Sequence, residues 1–391
     1  MRSGLSRNVT FLGVVSGLTD ISSEMLYPIV PVFLTSVLGA PMQVVGLIEG
    51  LAEATASFVK MLGGRLSDRS GSRKPFVVAG YSLSAVSKPL LALAASWQFV
   101  LFSRFVDRVG KGLRTSARDA LIAGSVDKAH WGKAFGFHRA MDTLGAALGP
   151  LAALAMIHYM GGDQPDYRLI FMAAFVPALL GVGVLAWFVK ETARARPAGA
   201  AAPAAEPMTA DFKTFLALYA VFALFNSSDV FLIMKAKTMG FTLTQVILAY
   251  TGYNLVYALL ASPAGWLADR LGKVRTMTFG FAVFAAVYLG FALADRAWLV
   301  WPLFALYGFY GAFNEGIAKA VVSHLSADGN RASAMGYFQG ALGFLTFAAS
   351  ALAGFLWDRV SPAAPFVAGA AGALFAGAAL TFWTRRRKFS F

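Results

Sequence analysis

The stretch "RFVDRVGKGLRTSARDALIA" (residues 104–123) packs Arg104, Asp107, Arg108, Lys111, Arg114, Arg118 and Asp119 into a chain in which only 14% of residues are charged. A guanidinium presents a planar fork of donors that fits a carboxylate or phosphate through two parallel hydrogen bonds. Arg104, Arg108, Lys111 and Arg114 are therefore candidate substrate ligands, and they favour an anionic or zwitterionic solute over a lipophilic cation. Upstream, "TDISSEM" sets Asp20 and Glu24 one helical turn apart. A carboxyl that burial keeps protonated and a nearby cation discharges can load and release a proton. Glu24 is the first candidate for that work and Asp20 the second; Asp142, one turn from His138, is a third. The chemistry is binding and proton exchange. The chain has no cysteine for thiol chemistry, and it lacks both a phosphate-cradling Gly-rich Lys loop and any catalytic constellation. Neither an ATP-driven pump nor an enzyme is expected, and no cofactor or resident metal.

Such charges need elements to hold them. The 391 residues are 58% hydrophobic, with a mean hydropathy of +0.62. Apolar runs of about 20 residues, the span that crosses a bilayer core as a helix, recur along the whole chain. The ten-residue alternation of a membrane β-barrel is missing. At about 100° per residue, Arg104, Asp107, Arg108, Lys111, Arg114 and Arg118 share an arc of roughly 120°. Phe105, Val106, Val109, Leu113 and Ala117 take the other face. Loop charges have no reason to share a face, and charges at membrane depth face a bundle interior or a wet cavity. The segment is a transmembrane helix with one wet, mostly basic stripe.

Spans are expected near 9–38, 43–65, 75–95, 98–124, 133–159 and 167–189, and again near 212–236, 242–266, 275–295, 298–324, 333–357 and 362–384. The N-terminal run, which holds Asp20 and Glu24, is read as the first membrane helix rather than a signal peptide. The result is an all-α membrane protein with 12 transmembrane helices in two six-helix pseudo-repeats. The bundles cover 1–190 and 212–391, and the Ala/Pro-rich segment 191–211 links them. Lys and Arg concentrate in the connections on one side, in "RLSDRSGSRK", "RLGKVR" and the terminal "RRRK". That side is cytoplasmic, both termini with it, in a multi-pass protein of the cell membrane. The same clustering explains the net charge of +14 without nucleic acid as a partner. Membrane lipids, protons and a small-molecule substrate are the expected partners of a monomer.

The halves repeat. "GRLSDRSGSRK" at Gly64 returns as "GWLADRLGKVR" at Gly265, "AFGFHRAMDTLG" at Ala134 as "AMGYFQGALGFL" at Ala334, and "SSEM" at Ser22 as "SSDV" at Ser227. Duplicated six-helix halves suit a rocking transporter with its site near the midplane. "GRLSDRSGSRK" resembles the inner-loop motif of the major facilitator superfamily. "GAALGP" (Gly145, Gly149, Pro150) resembles the first part of the fifth-helix motif of that superfamily's drug–proton antiporters, whose trailing Gly-Gly is Ala153-Leu154 here. Arg104 stands about where the superfamily carries its fourth-helix Arg.

The resemblance implies that helices 1, 4, 7 and 10 line the cavity. Asp229, Asn314 and Glu315 then join the substrate candidates, with Lys319 a possible i,i+4 partner of Glu315. It also implies gating roles for Gly64, Asp68, Arg69, Gly71, Asp269 and Arg270 in the repeated loop, and for Gly145, Gly149 and Pro150, which would pack across the domain boundary. Gly64, Gly71, Gly265 and Gly272 would permit tight turns, while Arg73 and Lys74 would meet acidic groups or anionic lipid. Tyr250, Tyr253 and Tyr257 suit helix packing or substrate stacking. The leading expectation is proton-coupled efflux of a small organic solute. Proton-coupled uptake of an organic anion, divalent-metal transport through Asp20, Glu24, Glu53, His138 and Asp142, and a purely structural ion-pair network stay open beside it.

Overall fold

The computed structural model describes residues 5–127, 130–162, 165–192, 208–326 and 331–387, with the side chains of Arg65, Asp68 and residues 331–333 outside the description. Every described element is helical: α1 (Arg7–Leu26), α2 (Val30–Val32) running into a π-turn (Phe33–Val37), α3 (Met42–Ser70), α4 (Lys74–Ala92), α5 (Trp97–Gly124), α6 (Trp131–Tyr159) and α7 (Tyr167–Phe188); then α8 (Ala210–Phe225), α9 (Val230–Thr238), α10 (Leu243–Leu271), α11 (Lys273–Leu293), α12 (Val300–His324), α13 (Arg331–Arg359) and α14 (Ala364–Arg387). With α1–α2 and α8–α9 each taken as one broken span, these are the twelve expected spans. Nine are long and apolar enough to cross a membrane by length and composition among the described residues. The helices α4, α5 and α12 fall short of that measure, α5 because its stripe of charge lowers its hydropathy.

Local chemistry sets the boundaries. Ser6 accepts the Val9 N–H at the start of α1, Asp166 accepts Arg168 and Leu169 N–H at the start of α7, and Thr242 with Gln245 closes a reciprocal cap on α10. Each satisfies backbone donors that a helix start leaves without partners. The two breaks fall at matching places. Pro28 and Pro31, which carry no N–H, interrupt the first span, and Asn226-Ser227-Ser228-Asp229 interrupts the seventh. Short polar side chains of this kind compete for backbone hydrogen bonds.

Packing divides the described chain into two compact units, one of residues 1–40 and 51–201, the other of 41–50 and 202–391. In the first, α1 packs on α6 and α7, and α4 on α5 and α7. In the second, α8 packs on α13 and α14, and α11 on α12 and α14. The repeat read in the sequence is thus a repeat of packing.

The first core gathers Val9, Leu12 and Val15 of α1 with Val77 and Tyr81 of α4, Leu121 of α5 and Leu185 of α7. The second is aromatic: Phe222 stacks on Phe281 at 4.1 Å and Phe284 on Tyr288 at 3.9 Å. Residues 41–50 group with this unit, where Asp358 accepts the Met42 and Gln43 N–H at 3.3 and 2.7 Å. Leu179, Leu180, Phe344 and Phe375 are all more than half exposed. An outer surface that apolar suits lipid and not water, and the chain is a multi-pass membrane protein.

Of the glycines expected at turns, Gly71 and Gly272 are there, at φ +75° and +96°, where a Cβ would be strained. Gly64 and Gly265 lie inside α3 and α10. Gly64 faces Ser116 of α5, whose Cβ would stand 3.2 Å from a Cβ added at Gly64, so it serves helix contact rather than a turn.

Candidate functional site

The helix α5 is held tightly on two sides. At Gly110 it approaches α4 so closely that an added Cβ would sit 2.9 Å from the Ser84 N, and at Gly112 it meets Val59 and Lys60 of α3 at 2.6 and 2.9 Å. Clamped in this way, its wet stripe faces a cavity of about 70 Å³ inside the first unit. Every candidate for proton coupling on the first helix and every basic candidate of α5 lines it: Asp20 and Glu24 on one side, Arg104, Arg108, Lys111 and Arg114 on the other.

The stripe is not a row of bare charges. Asp107 pairs with Lys88 of α4 at 2.9 Å, and both side chains are nearly out of solvent. Ser87 Oγ donates to the same Asp107 oxygen at 3.4 Å, while Ser103 Oγ donates to the Ser87 carbonyl at 2.7 Å. Arg108 reaches Glu53 of α3 at 3.1 Å. Arg114 donates to Ser84 Oγ and lies over the buried Tyr81 ring, 4.5 Å from its centre. Such a cation–π contact is worth about 2 kcal/mol when desolvated. Lys111 differs from these: its ammonium makes no hydrogen bond or ion pair among the described residues, and its side chain is solvent-accessible. The wall holds five cations, counting Lys88, and three carboxylates, counting Asp107.

The carboxylates are seated by the "GAALGP" stripe. Gly145 lies against the backbone of α1 so closely that a Cβ there would be 2.5 Å from the Gly17 carbonyl oxygen and 2.9 Å from the Asp20 Cβ. Gly149 does the same one turn on, at 2.6 Å from the Ile21 oxygen and 2.9 Å from the Glu24 Cβ. The stripe's two glycines pack on α1 within their own unit, directly behind both carboxylates, because only glycine lets the helix backbones approach that far. Pro150 is buried in α6 beside them. Asp142, also on α6, does not line the cavity; it pairs with His138 Nδ1 at 3.4 Å.

The remaining substrate candidates belong to the second unit and form a different assembly. Asp229 accepts a hydrogen bond from the Tyr307 hydroxyl at 2.7 Å. Asn314 is buried, donates to Tyr310 at 3.1 Å and accepts from Tyr219 at 3.4 Å. Glu315 accepts from Tyr257 at 3.1 Å. Tyr253 packs on Tyr250 and Tyr307 at 5.7 and 5.2 Å between ring centres. The first unit therefore offers ionic groups in a cavity, and the second offers phenols hydrogen-bonded to an amide and to two carboxylates. Among the described residues, no three His, Cys, Asp or Glu side chains gather as a metal would require.

In the repeated loop, Asp68 lies near the end of α3 and its side chain falls outside the described residues. Arg69 is exposed. Asp269 pairs with Lys273 at 3.4 Å, and Arg270 stacks over Trp266 at 3.8 Å. Among the described residues, the side chains of Arg73 and Lys74 meet backbone carbonyls rather than acidic groups. Arg73 donates to the Ala120 carbonyl at 2.9 Å and Lys74 to the Ala186 carbonyl at 2.8 Å.

Two features were missed in the sequence. Lys88 is a lone cation within an apolar span, and such a residue demands a partner; that signal was available. Glu191 falls in the segment 191–211 that the sequence marks as linker. Its carboxylate accepts from Ser72 Oγ, Arg73 N–H and Lys74 N–H at 2.7, 2.9 and 2.8 Å, capping the start of α4. Partial burial pushes this carboxyl up, but the bonds from Ser72, Lys74, Thr192 and Arg73 outweigh it and hold it below its ordinary value of 4.5.

Comparison with known proteins agrees with this architecture. The profile of the Major Facilitator Superfamily matches residues 12–234 and again 214–390. An uncharacterised transporter of the superfamily's type from Methanocaldococcus jannaschii is 37% identical, the alignment covering 97% of this chain and 95% of that one. A multidrug resistance protein of Aeromonas hydrophila is 24% identical over 84% of this chain and 82% of its own. Among solved structures, a human organic anion transporter superposes with a TM-score of 0.69 at 18% identity, covering 96% of this chain and 99% of the other, which speaks to the fold alone.

Proposed function

The chain belongs to the Major Facilitator Superfamily and is a transporter, and from that premise we propose that it exports a small anionic or zwitterionic organic solute in exchange for protons, by alternating access. The observation that carries the reading is the cavity of the first unit, where Asp20 and Glu24 of α1 stand across from Arg104, Arg108, Lys111 and Arg114 of α5. Carboxylates facing an excess of cations can take and give protons as a charged solute comes and goes. Glu24 is the main proton carrier in this account and Asp20 the second, while Asp142 tunes them from α6. The basic side chains hold the anionic part of the solute. Asp229, Asn314 and Glu315 supply the polar contacts of the second half. The helix ends at Gly64–Gly71 and at Asp269–Arg270, and the Gly145–Pro150 stretch, serve the change of state. Export is supported by the relative named for multidrug resistance. The protein acts in the cell membrane with both termini in the cytoplasm.

A second reading, uptake of an organic anion together with protons, is favoured by the surplus of cations in the cavity wall, five against three.

The test is transport in proteoliposomes screened with benzoate, 4-aminobutanoate and tetraphenylphosphonium as representatives of three charge classes. With whichever class moves, Glu24→Gln should abolish pH-driven accumulation and leave downhill exchange largely intact. Normal gradient-driven transport by that variant contradicts the assignment.

A further inference from the structure

A solute and a proton exchange through one site only if each weakens the binding of the other, and the effect is reciprocal. The cavity restricts which solutes can meet that condition. The charges that act on Asp20 include Glu24 on its own helix, Arg114 and Lys111 on α5 and Asp142 on α6. The other helix packed on α1, α7, carries charge only at Arg168 in its first turn.

Consider a plain anion in this setting. Protonating Asp20 or Glu24 removes a negative charge from a wall that already has five cations and three carboxylates. The anion then binds more tightly, so proton and anion help each other and travel together. A plain cation does compete with the proton for Asp20 and Glu24, but it must enter among five like charges. A solute with both ends escapes both objections. Its cationic end takes the place of the proton on Asp20 and Glu24. Its anionic end meets Lys111, the ammonium of this wall that makes no hydrogen bond or ion pair among the described residues. Lys88, Arg108 and Arg114 are already engaged with Asp107, Glu53 and Ser84, and Arg104 is not without a partner either.

We propose that the transported solute is a zwitterion, its amine or other cationic group displacing the proton at Asp20 and Glu24 and its carboxylate or similar anionic group docking on Lys111. The inference rests on the export reading and narrows it. It makes Lys111 the specificity-determining residue of the cavity, since without the anionic contact a zwitterion is bound no better than a simple amine. Lys111 makes no hydrogen bond or ion pair among the described residues, so its replacement removes none that holds the fold.

Three probes of one chain length separate the cases: butanoate, butylammonium and 4-aminobutanoate, added to the full chain in nanodiscs in weakly buffered solution. Melting temperature reports binding and a pH indicator reports protons. The expected result is that 4-aminobutanoate stabilises the protein most and releases protons. Lys111→Gln should weaken it roughly tenfold or more, the value of one lost charge-assisted hydrogen bond, while Lys111→Arg retains binding and Asp20→Asn lowers the proton release. Three results overturn the proposal: butanoate binding best with proton uptake; butylammonium matching 4-aminobutanoate in both wild type and Lys111→Gln; or none of the three binding. Failure of the export reading looks different. There 4-aminobutanoate still binds and releases protons, but an imposed pH gradient drives no export of it from proteoliposomes.

Discussion

Individual side chains in this cavity do different jobs. Lys88 and Asp107 are close, shielded and mutually satisfied. Breaking a buried pair leaves a charge with no compensation and costs about 3–5 kcal/mol, whereas replacing both partners by apolar groups is often neutral. Lys88→Met should therefore unfold at a markedly lower temperature than wild type. The double variant Lys88→Met, Asp107→Leu should recover most of that loss. If the double variant also transports at the wild-type rate, the pair is scaffolding for Arg104 and Lys111 and nothing more. Lys111 stands at the other extreme: Lys111→Gln, which removes no hydrogen bond or ion pair among the described residues, should leave the melting temperature within about 1 °C of wild type. A scan of purified protein in nanodiscs reads both.

At the scale of elements, two helix contacts set where the chemistry sits. The glycines of α6 fix the distance to α1 at the level of Asp20 and Glu24. Gly149→Ala should push α1 aside by an ångström or so and displace both carboxylates. Because a small misplacement of a reacting group can cost about 10²-fold in rate, proton-coupled transport should fall steeply. The pH dependence of what remains should shift, a change that mere loosening of the bundle would not produce. Gly136→Ala, on the same helix with open space at its Cβ position, is the control and should behave as wild type. The other contact is the Glu191 cap on α4. Its carboxyl is held below the ordinary carboxylate value in the folded protein. The stability it contributes is therefore fully present above the ordinary value of 4.5 and is lost as pH falls through the lower folded value. Glu191→Gln should lower the melting temperature at pH 7, in keeping with loss of a helix cap worth about 1 kcal/mol. The gap from wild type should close as the pH drops below about 4.

At the scale of the whole molecule, the sequence carried the architecture because hydropathy and internal repetition are written along the chain. "GRLSDRSGSRK" and "GWLADRLGKVR" end matching helices α3 and α10, and the broken spans at Pro28 and at Asn226–Asp229 follow from residues that cannot continue a helix. The wet stripe of α5 was legible too, since its period is that of the helix itself. Partners across space were not. Nothing local in "KET" says that Glu191 reaches back to cap α4, nor in "GAALGP" that its glycines face Asp20 and Glu24. A lone Lys88 announced that it needed a partner without saying which. The account stands on one claim, that solute and proton pass through the Asp20–Glu24–Lys111 cavity in opposite directions. The direct measurement is proteoliposomes of known orientation with a trapped pH-sensitive dye, in which the movement of labelled 4-aminobutanoate and of protons is followed together. The account predicts proton flux opposite to the solute and its loss in Glu24→Gln. Solute movement with protons travelling in the same direction, or with none moving at all, contradicts it.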